Sequence, residues 1–481
     1  MLKFINDILV SFRECFSRKA TFGWFVVIVC GIIVATDHLG VTSIMRGLLL
    51  VPHHYDNLIG FFRSGGWNLE SLFSTWCKIV EQTAPLYKHN GRIILIADGV
   101  KQSKEGRRMP GVKRHRQESG NASKSDYIWG HLFGSVGVII EKEGKRFCLP
   151  LIQMIQDGVK RITSWGADAG SAERQDSHVV ESIKLAYRAS TRFCSNAILL
   201  LDAYYLSVPA LEKLEELNLS GKILHIVTRA KSNCRAYEIP KPNTGNRGRP
   251  RKKGESVKLI NLFETMKEKF VSATVMLYDK QQEVRYCCVD LLWGKQLYKL
   301  LRFVLIEYNG TKTILVTTDL TMNPLDVILL YGKRFTIESM FREMKQVVYA
   351  FCYRFWSKHM PKLNRYKKKT EPDLTEKITD EKSQKRIQLA LKAIEGFVFC
   401  ACTSIGILQM TALHFSGTSE FDKLRYMRTV RNAVPSEATT ADLINKKFFY
   451  LLQKQPDLDI SQIISEKQVD FVADIDTFDA A

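Results

Sequence analysis

Residues 92–98 read Arg-Ile-Ile-Leu-Ile-Ala-Asp, and residues 197–202 read Ala-Ile-Leu-Leu-Leu-Asp. Each is a short apolar run that stops at an acid, too short for a buried helix and suited to a strand covered on both faces. When two such strands lie side by side and parallel, their last residues meet at one edge of the sheet, where α/β folds place their sites. Asp98 and Asp202 are therefore candidates for one shared site, and the fold class that follows is α/β.

Between and around these runs the pattern alternates. His131–Ile140 and Arg146–Met154 read as two further strands, and 172–191 as an amphipathic helix with Val179, Ile183, Ala186 and Tyr187 at helical intervals. A short helix at 208–217 and a strand at 222–228 follow. Residues 235–256, rich in Pro, Gly and Lys/Arg, predict an exposed loop. Strand-like runs at 271–278, 284–292, 302–307 and 313–318 come next, then one long helix from Asn323 to about Tyr349, with Asn323 as N-cap and Pro324 at the first helical position. The expected organisation is a helical region at 1–85 with a DNA-binding or dimer role, a catalytic core at 86–235, a β-rich insertion at 236–308, the core resuming at 309–357, a basic linker at 358–384 and a helical region at 385–481.

The chain has 481 residues, 45% hydrophobic, enough for two or three cores. Seventy Lys and Arg against fifty Asp and Glu leave a net charge of +20, a field that attracts polyanions. Nucleic acid leads, although a ribosome or an acidic membrane surface carries the same sign. Eleven scattered cysteines without a CxxC pair suggest neither a disulfide framework nor a zinc knuckle, and fit a reducing cytoplasm. The apolar stretch Phe22–Ala35 is fourteen residues long, short of the ~20 that span a bilayer, and reads as a buried core helix.

The most specific pattern is Tyr-Gly-Lys-Arg-Phe-Thr-Ile-Glu-Ser-Met-Phe-Arg-Glu-Met-Lys at 331–345. At about 100° per residue, Tyr331, Arg334, Glu338 and Lys345 fall within roughly 60° of one another, a single stripe along four turns. Leu330, Ile337, Phe341, Met344 and Val348 occupy a neighbouring apolar stripe. A solvated Arg/Glu face is common on helices; together with two strand-terminal aspartates it becomes a candidate site. Three carboxylates on rigid elements are the donor set for two hard divalent ions ~3.5–4 Å apart, the arrangement that serves phosphodiester chemistry.

The Tyr-x2-Arg-x3-Glu-x6-Lys spacing resembles the signature of bacterial and archaeal insertion-sequence transposases, cut-and-paste DDE enzymes with a ribonuclease H-like catalytic domain and a β-rich insertion between the second Asp and the Glu. The resemblance covers about 92–350, with IADG (96–99), LLLDAYY (199–205), VTRAKSN (227–233), GRPRKKG (248–254) and TTDL (317–320) in support. It implies that Asp98, Asp202 and Glu338 bind two Mg²⁺ ions, for which Mn²⁺ can substitute. It also implies that Tyr331, Arg334 and Lys345 contact transposon-end DNA. The implied reaction is cleavage at terminal inverted repeats and strand transfer into target DNA by a synaptic homodimer, in the cytoplasm at the nucleoid and without a membrane. Some relatives cut the second strand through a DNA hairpin, where an aromatic residue of the insertion stacks an extruded base. Trp293 is the candidate for that role, with an ordinary core tryptophan as the plainer reading.

Three basic clusters offer phosphate contacts: Lys101, Lys104, Arg107, Arg108, Lys113, Arg114 and Arg116; the arm from Arg247 through Arg249 and Arg251 to Lys253; and Lys358–Lys369. His131 is a weak candidate for assisting at the site. Asp157, Asp168 and Asp176 are spare carboxylates, and Asp319, ending the apolar run 313–318, is the most serious competitor to the chosen pair. Two other functions fit the same residues: a ribonuclease H-like nuclease without strand transfer, and an inactive DNA-binding derivative.

Overall fold

Among the described residues thirteen strands, hydrogen-bonded into one mixed sheet, carry the α/β architecture, with helical regions on either side of them in the chain. The computed structural model describes residues 1–117, 125–165, 176–241, 251–277, 280–365, 374–421 and 434–470. In chain order the strands are β1 Lys88–His89, β2 Arg92–Ser103, β3 Lys113–Arg116, β4 Tyr127–Lys142, β5 Lys145–Ile155, β6 Ala197–Leu200 and β7 Leu224–Arg229. They continue with β8 Arg235–Tyr237, β9 Ser256–Lys258, β10 Val271–Leu277, β11 Lys280–Trp293, β12 Lys299–Tyr308 and β13 Thr311–Thr317. The order across the sheet is β3-β4-β2-β6-β7-β13-β12-β11-β8-β9, with β5 on β4, β1 on β2 and β10 on β11.

Strand β2 is the hinge of this order. On one side it pairs antiparallel with β4; on the other it pairs parallel with β6, which pairs parallel with β7. Both parallel neighbours are reached through helices, Val208–Asn218 lying between β6 and β7, as parallel pairing requires. Strand β13 then runs antiparallel to β7, and β12 and β11 continue outward from it. The β-rich stretch at 271–308 is thus built onto the same sheet that carries Asp98.

Helices cover both faces. At the end of β5, Met154 and, one residue past the strand, Gln156 face the helix His178–Arg192, through Arg188 and Ser182. The preceding Gln153 points the other way, to the helix Thr336–Gln346, its amide 3.0 Å from Met344 Sδ. Register carries this facing across the sheet, because Gln153 lies opposite Ser135 and Ser135 opposite Asp98. Residues directly opposite share a face, so Asp98 projects toward the 336–346 helix.

The apolar helix Lys19–Val34 is buried on every side, which explains a composition without a polar face. It packs on Glu381–His414, among the described residues the one helix long and apolar enough to cross a membrane, whose apolar stretch too is wholly buried. Helix 381–414 in turn rests on β5, so the N-terminal helices, the C-terminal helices and the sheet share a continuous apolar core. All eleven cysteines are free thiols.

One expected element divides. In place of a single helix from Asn323 to Tyr349 there are two, Pro324–Lys333 and Thr336–Gln346. At the junction the backbone switches to three-residue spacing, with Arg334 N–H donating to Tyr331 O, Ile337 N–H to Arg334 O and Glu338 N–H to Phe335 O. The cause lies in two neighbouring cations with separate anchors: Lys333 is buried against Glu141 at 3.4 Å, and Arg334 reaches Asp98. Asn323 does cap the first helix, accepting from Leu325 N–H, and Pro324 occupies its first turn.

Candidate active site at the sheet edge

The parallel ladder between β2 and β6 pairs Ile96 with Leu200. Two residues further along, Asp98 and Asp202 come abreast, Asp202 still extended at φ −74°, ψ 164°. A period of two residues keeps both on the same face of their strands. The Thr228 hydroxyl donates to the Asp202 carbonyl at 2.9 Å, fixing this corner to the end of β7. Glu338 arrives from above, in the first turn of the 336–346 helix, with its side chain 45% exposed and facing solvent.

Arg334 joins the acids. One guanidinium nitrogen lies 3.2 Å from Asp98 Oδ2 and another 3.1 Å from Glu338 Oε1. Burial pushes the Asp98 carboxyl up to about 6, with Glu338 and Asp202 adding to the rise, while the Gly99 N–H and Arg334 work against it. Burial also weighs against charge on Arg334, but Asp98, Tyr331, Asp202 and Glu338 outweigh it and hold the guanidinium more firmly protonated than usual. Tyr331, Arg334, Glu338, Asp98 and Asp202 therefore belong to one electrostatic cluster. Lys345 sits exposed about two turns beyond Glu338.

Could these residues hold a divalent ion? Among the described residues no three carboxylate, histidine or cysteine groups stand close enough, as arranged, to hold one. The reason is visible: the charge that balances Asp98 and Glu338 is the guanidinium between them. The donor chemistry does fit, since three hard carboxylate groups, one of them mostly buried, repel one another until a cation is placed among them.

The competing acids have partners of their own. Asp319 ends β13, which runs antiparallel to β7, so it lies at the opposite edge of the sheet, beside Arg92 at the start of β2. Six strand residues separate Arg92 from Asp98, about 20 Å at 3.3 Å each. Arg92 bonds Asp319 at 2.6 Å and Thr321 donates twice more; these offset burial and hold the carboxyl down at about 2. Asp157 pairs with Lys113 at 2.9 Å, and Asp176 with Lys184 at 2.5 Å. Asp168 lies outside the described residues.

His131 is fully buried. Its Nε2 faces the Pro110 carbonyl at 2.8 Å, which can only accept, so Nδ1 accepts from the Tyr353 hydroxyl at 2.6 Å. Burial pushes it down to about 3, a neutral structural imidazole.

The basic residues divide similarly. Arg107 is exposed, and Arg114 lies over the exposed Tyr127 ring at 4.0 Å. Arg108 instead donates to the Lys358 and Met360 carbonyls, and Lys104 is half-buried with its ammonium over the Tyr353 ring. Arg251 is exposed, whereas Arg247 and Arg249 lie outside the described residues, as do 366–369 of the third cluster. Trp293 is half-buried against the core and gives its indole N–H to Cys234 Sγ at 3.1 Å, which suits packing.

With this geometry in place, comparison with protein families is informative. A family described as DDE superfamily endonuclease matches residues 11–283, more than half of the chain. The chain belongs to the DDE superfamily endonucleases. The matched span contains Asp98 and Asp202, and Glu338 lies beyond it. No curated protein matches the chain.

Proposed function

We propose that this DDE endonuclease is a transposase of the Tyr-Arg-Glu-Lys type, which cuts DNA at the ends of a mobile element and joins the freed 3′ end to target DNA. The observation that carries the reading is the convergence of Asp98 and Asp202, abreast on parallel strands, with Glu338 joined to them through Arg334. The ribonuclease H-like description of the core is supported by the sheet order, antiparallel strands on one side of β2 and parallel strands on the other.

Asp98, Asp202 and Glu338 would hold Mg²⁺, or Mn²⁺ in its place. Such ions activate a water or 3′-hydroxyl and stabilise the leaving oxygen. The protein's part is to place and balance charge. Asp98 and Asp202 are fixed by strands; Glu338 stands on a helix end, open to solvent. Arg334 compensates Asp98 and Glu338 and, freed from them, is placed to neutralise a phosphate of the bound strand. Tyr331 offers a hydroxyl beside it, and Lys345 and Arg107 extend the positive surface. Double-stranded DNA with terminal inverted repeats, a homodimer spanning two ends and a cytoplasmic, nucleoid-associated setting complete the reading.

The test is nicking of DNA carrying the element's ends by the full chain with Mg²⁺, against Asp202→Ala. Loss of nicking in the variant supports the assignment, and equal nicking removes Asp202 from the site. Offering a pre-cut 3′ end and a target duplex separates joining from cutting alone.

A further inference from the structure

Beside the acids lies an exposed aromatic platform that the reading above does not use. Directly after Asp202, a single turn of 3-10 helix, Ala203–Tyr205, turns one tyrosine inward and one outward. Tyr205 is buried, and its phenol is hydrogen-bonded to Ser182 and felt by Asp98, so the turn is clamped to the floor of the site. Tyr204 is 48% exposed. Its ring stacks on the His178 imidazole, 5.2 Å between centroids and 12° from parallel. Lys231, exposed two residues beyond β7, holds its ammonium over the same ring, 6.0 Å from the centroid.

Burial does not explain this arrangement, since a half-exposed tyrosine contributes little to the core. What it presents is a flat π face held by a second ring behind it, two residues from a candidate metal-binding acid, with a cation alongside. An unpaired nucleotide has the complementary chemistry, a base to stack and a phosphate to pair. We infer that Tyr204, backed by His178 and flanked by Lys231, is the stacking platform for an unpaired nucleotide at the cleaved DNA end. This rests on the DNA-cleaving reading and moves the stacking role away from Trp293, whose indole is committed to Cys234.

The test uses a forked duplex with 2-aminopurine in its unpaired arm, bound to the full-length protein in Ca²⁺. Stacking on an aromatic ring quenches the probe. Wild type quenches it; Tyr204→Ala loses the quench and binds the fork roughly tenfold more weakly, while Tyr204→Phe keeps both, because the ring and not the hydroxyl does the stacking. Lys231→Ala keeps the quench but lowers the salt dependence of binding by about one phosphate contact. Trp293→Phe behaves as wild type. Full quenching and unchanged affinity in Tyr204→Ala, with its melting temperature unaltered, overturns the platform alone. Failure of the wild type to bind forked or duplex DNA overturns both the platform and the DNA reading.

Discussion

Asp98 and Asp319 both end apolar strands, yet their surroundings give them opposite character. Asp319 already accepts three hydrogen bonds from Arg92 and Thr321, and the Arg92 guanidinium balances its charge. Asp98 is mostly buried, crowded by two other acids and balanced by one guanidinium it shares. Asp319→Asn should therefore lower stability by about 3 kcal/mol in denaturant titrations, by breaking a largely buried ion pair, and leave the metal requirement of cleavage as it was. Glu338→Gln should do the reverse, with its melting temperature within a degree or two of wild type and DNA nicking down about a thousandfold or more, consistent with removal of a metal-binding carboxylate. A single-turnover assay beside a melting curve checks both. The two aspartates that come abreast on β2 and β6 could be picked from sequence because a strand run ending in an acid is a local signal. Demoting Asp319 needed strand direction, which no local pattern carries. Nor did spacing reveal Tyr204, since a tyrosine pair after an acid looks the same whether its rings point in or out.

At the scale of elements, the helix stripe was legible in part. Periodicity placed Arg334 and Glu338 on one face, and they do pair with each other. It could not reveal the tight turn between them, where Lys333 and Arg334 reach separate anchors on the neighbouring strands β4 and β2. The core helix at 22–35 was legible because fourteen apolar residues are too few for a bilayer, and the structure places them among other helices. How closely helices pack is also written in small residues. A Cβ on Gly406 would stand 2.4 Å from Trp76 Cζ2, and one on Gly396 2.5 Å from Trp67 Cη2, so helix 381–414 lies directly on two indoles. Trp76 is tied to the sheet as well, donating to the Pro150 carbonyl at 3.0 Å. Gly406→Val should cost about 3 kcal/mol of stability through overpacking, read as a lower denaturation midpoint with an unchanged slope.

Over the whole molecule, two titratable groups, one partly and one fully buried, make stability depend on pH with opposite signs. Glu395 is enclosed in helix 381–414 with the Ile155 N–H as its donor, and burial pushes it up to about 7. Its folded form holds a proton the unfolded chain releases near pH 4.5, so the folded state loses stability as pH rises toward 7. His131 is held down at about 3, and its folded form refuses a proton the unfolded chain accepts near pH 6.5, so stability also falls on acidification below that point. Glu395→Gln should accordingly be more stable than wild type at pH 8, by about 2 kcal/mol beyond the difference at pH 5, in chemical denaturation at both pH values. The net charge of +20 further predicts that DNA affinity falls steeply between 50 and 200 mM salt, in a filter-binding titration. The continuity of the sheet from β3 to β9 was not legible at all, because pairing between β7 and β13 joins residues some ninety positions apart.

The proposed site requires that three acids far apart in the chain enclose one metal-binding space. Iron-directed cleavage of the polypeptide reads that space directly: Fe²⁺ bound in place of Mg²⁺, with ascorbate and peroxide, cuts the backbone beside the ion. Cuts near 98, 202 and 338, suppressed by excess Mg²⁺ and lost in Asp202→Ala, are the predicted result. Cuts clustered elsewhere, such as around 319, or no Mg²⁺-sensitive cuts, would contradict it.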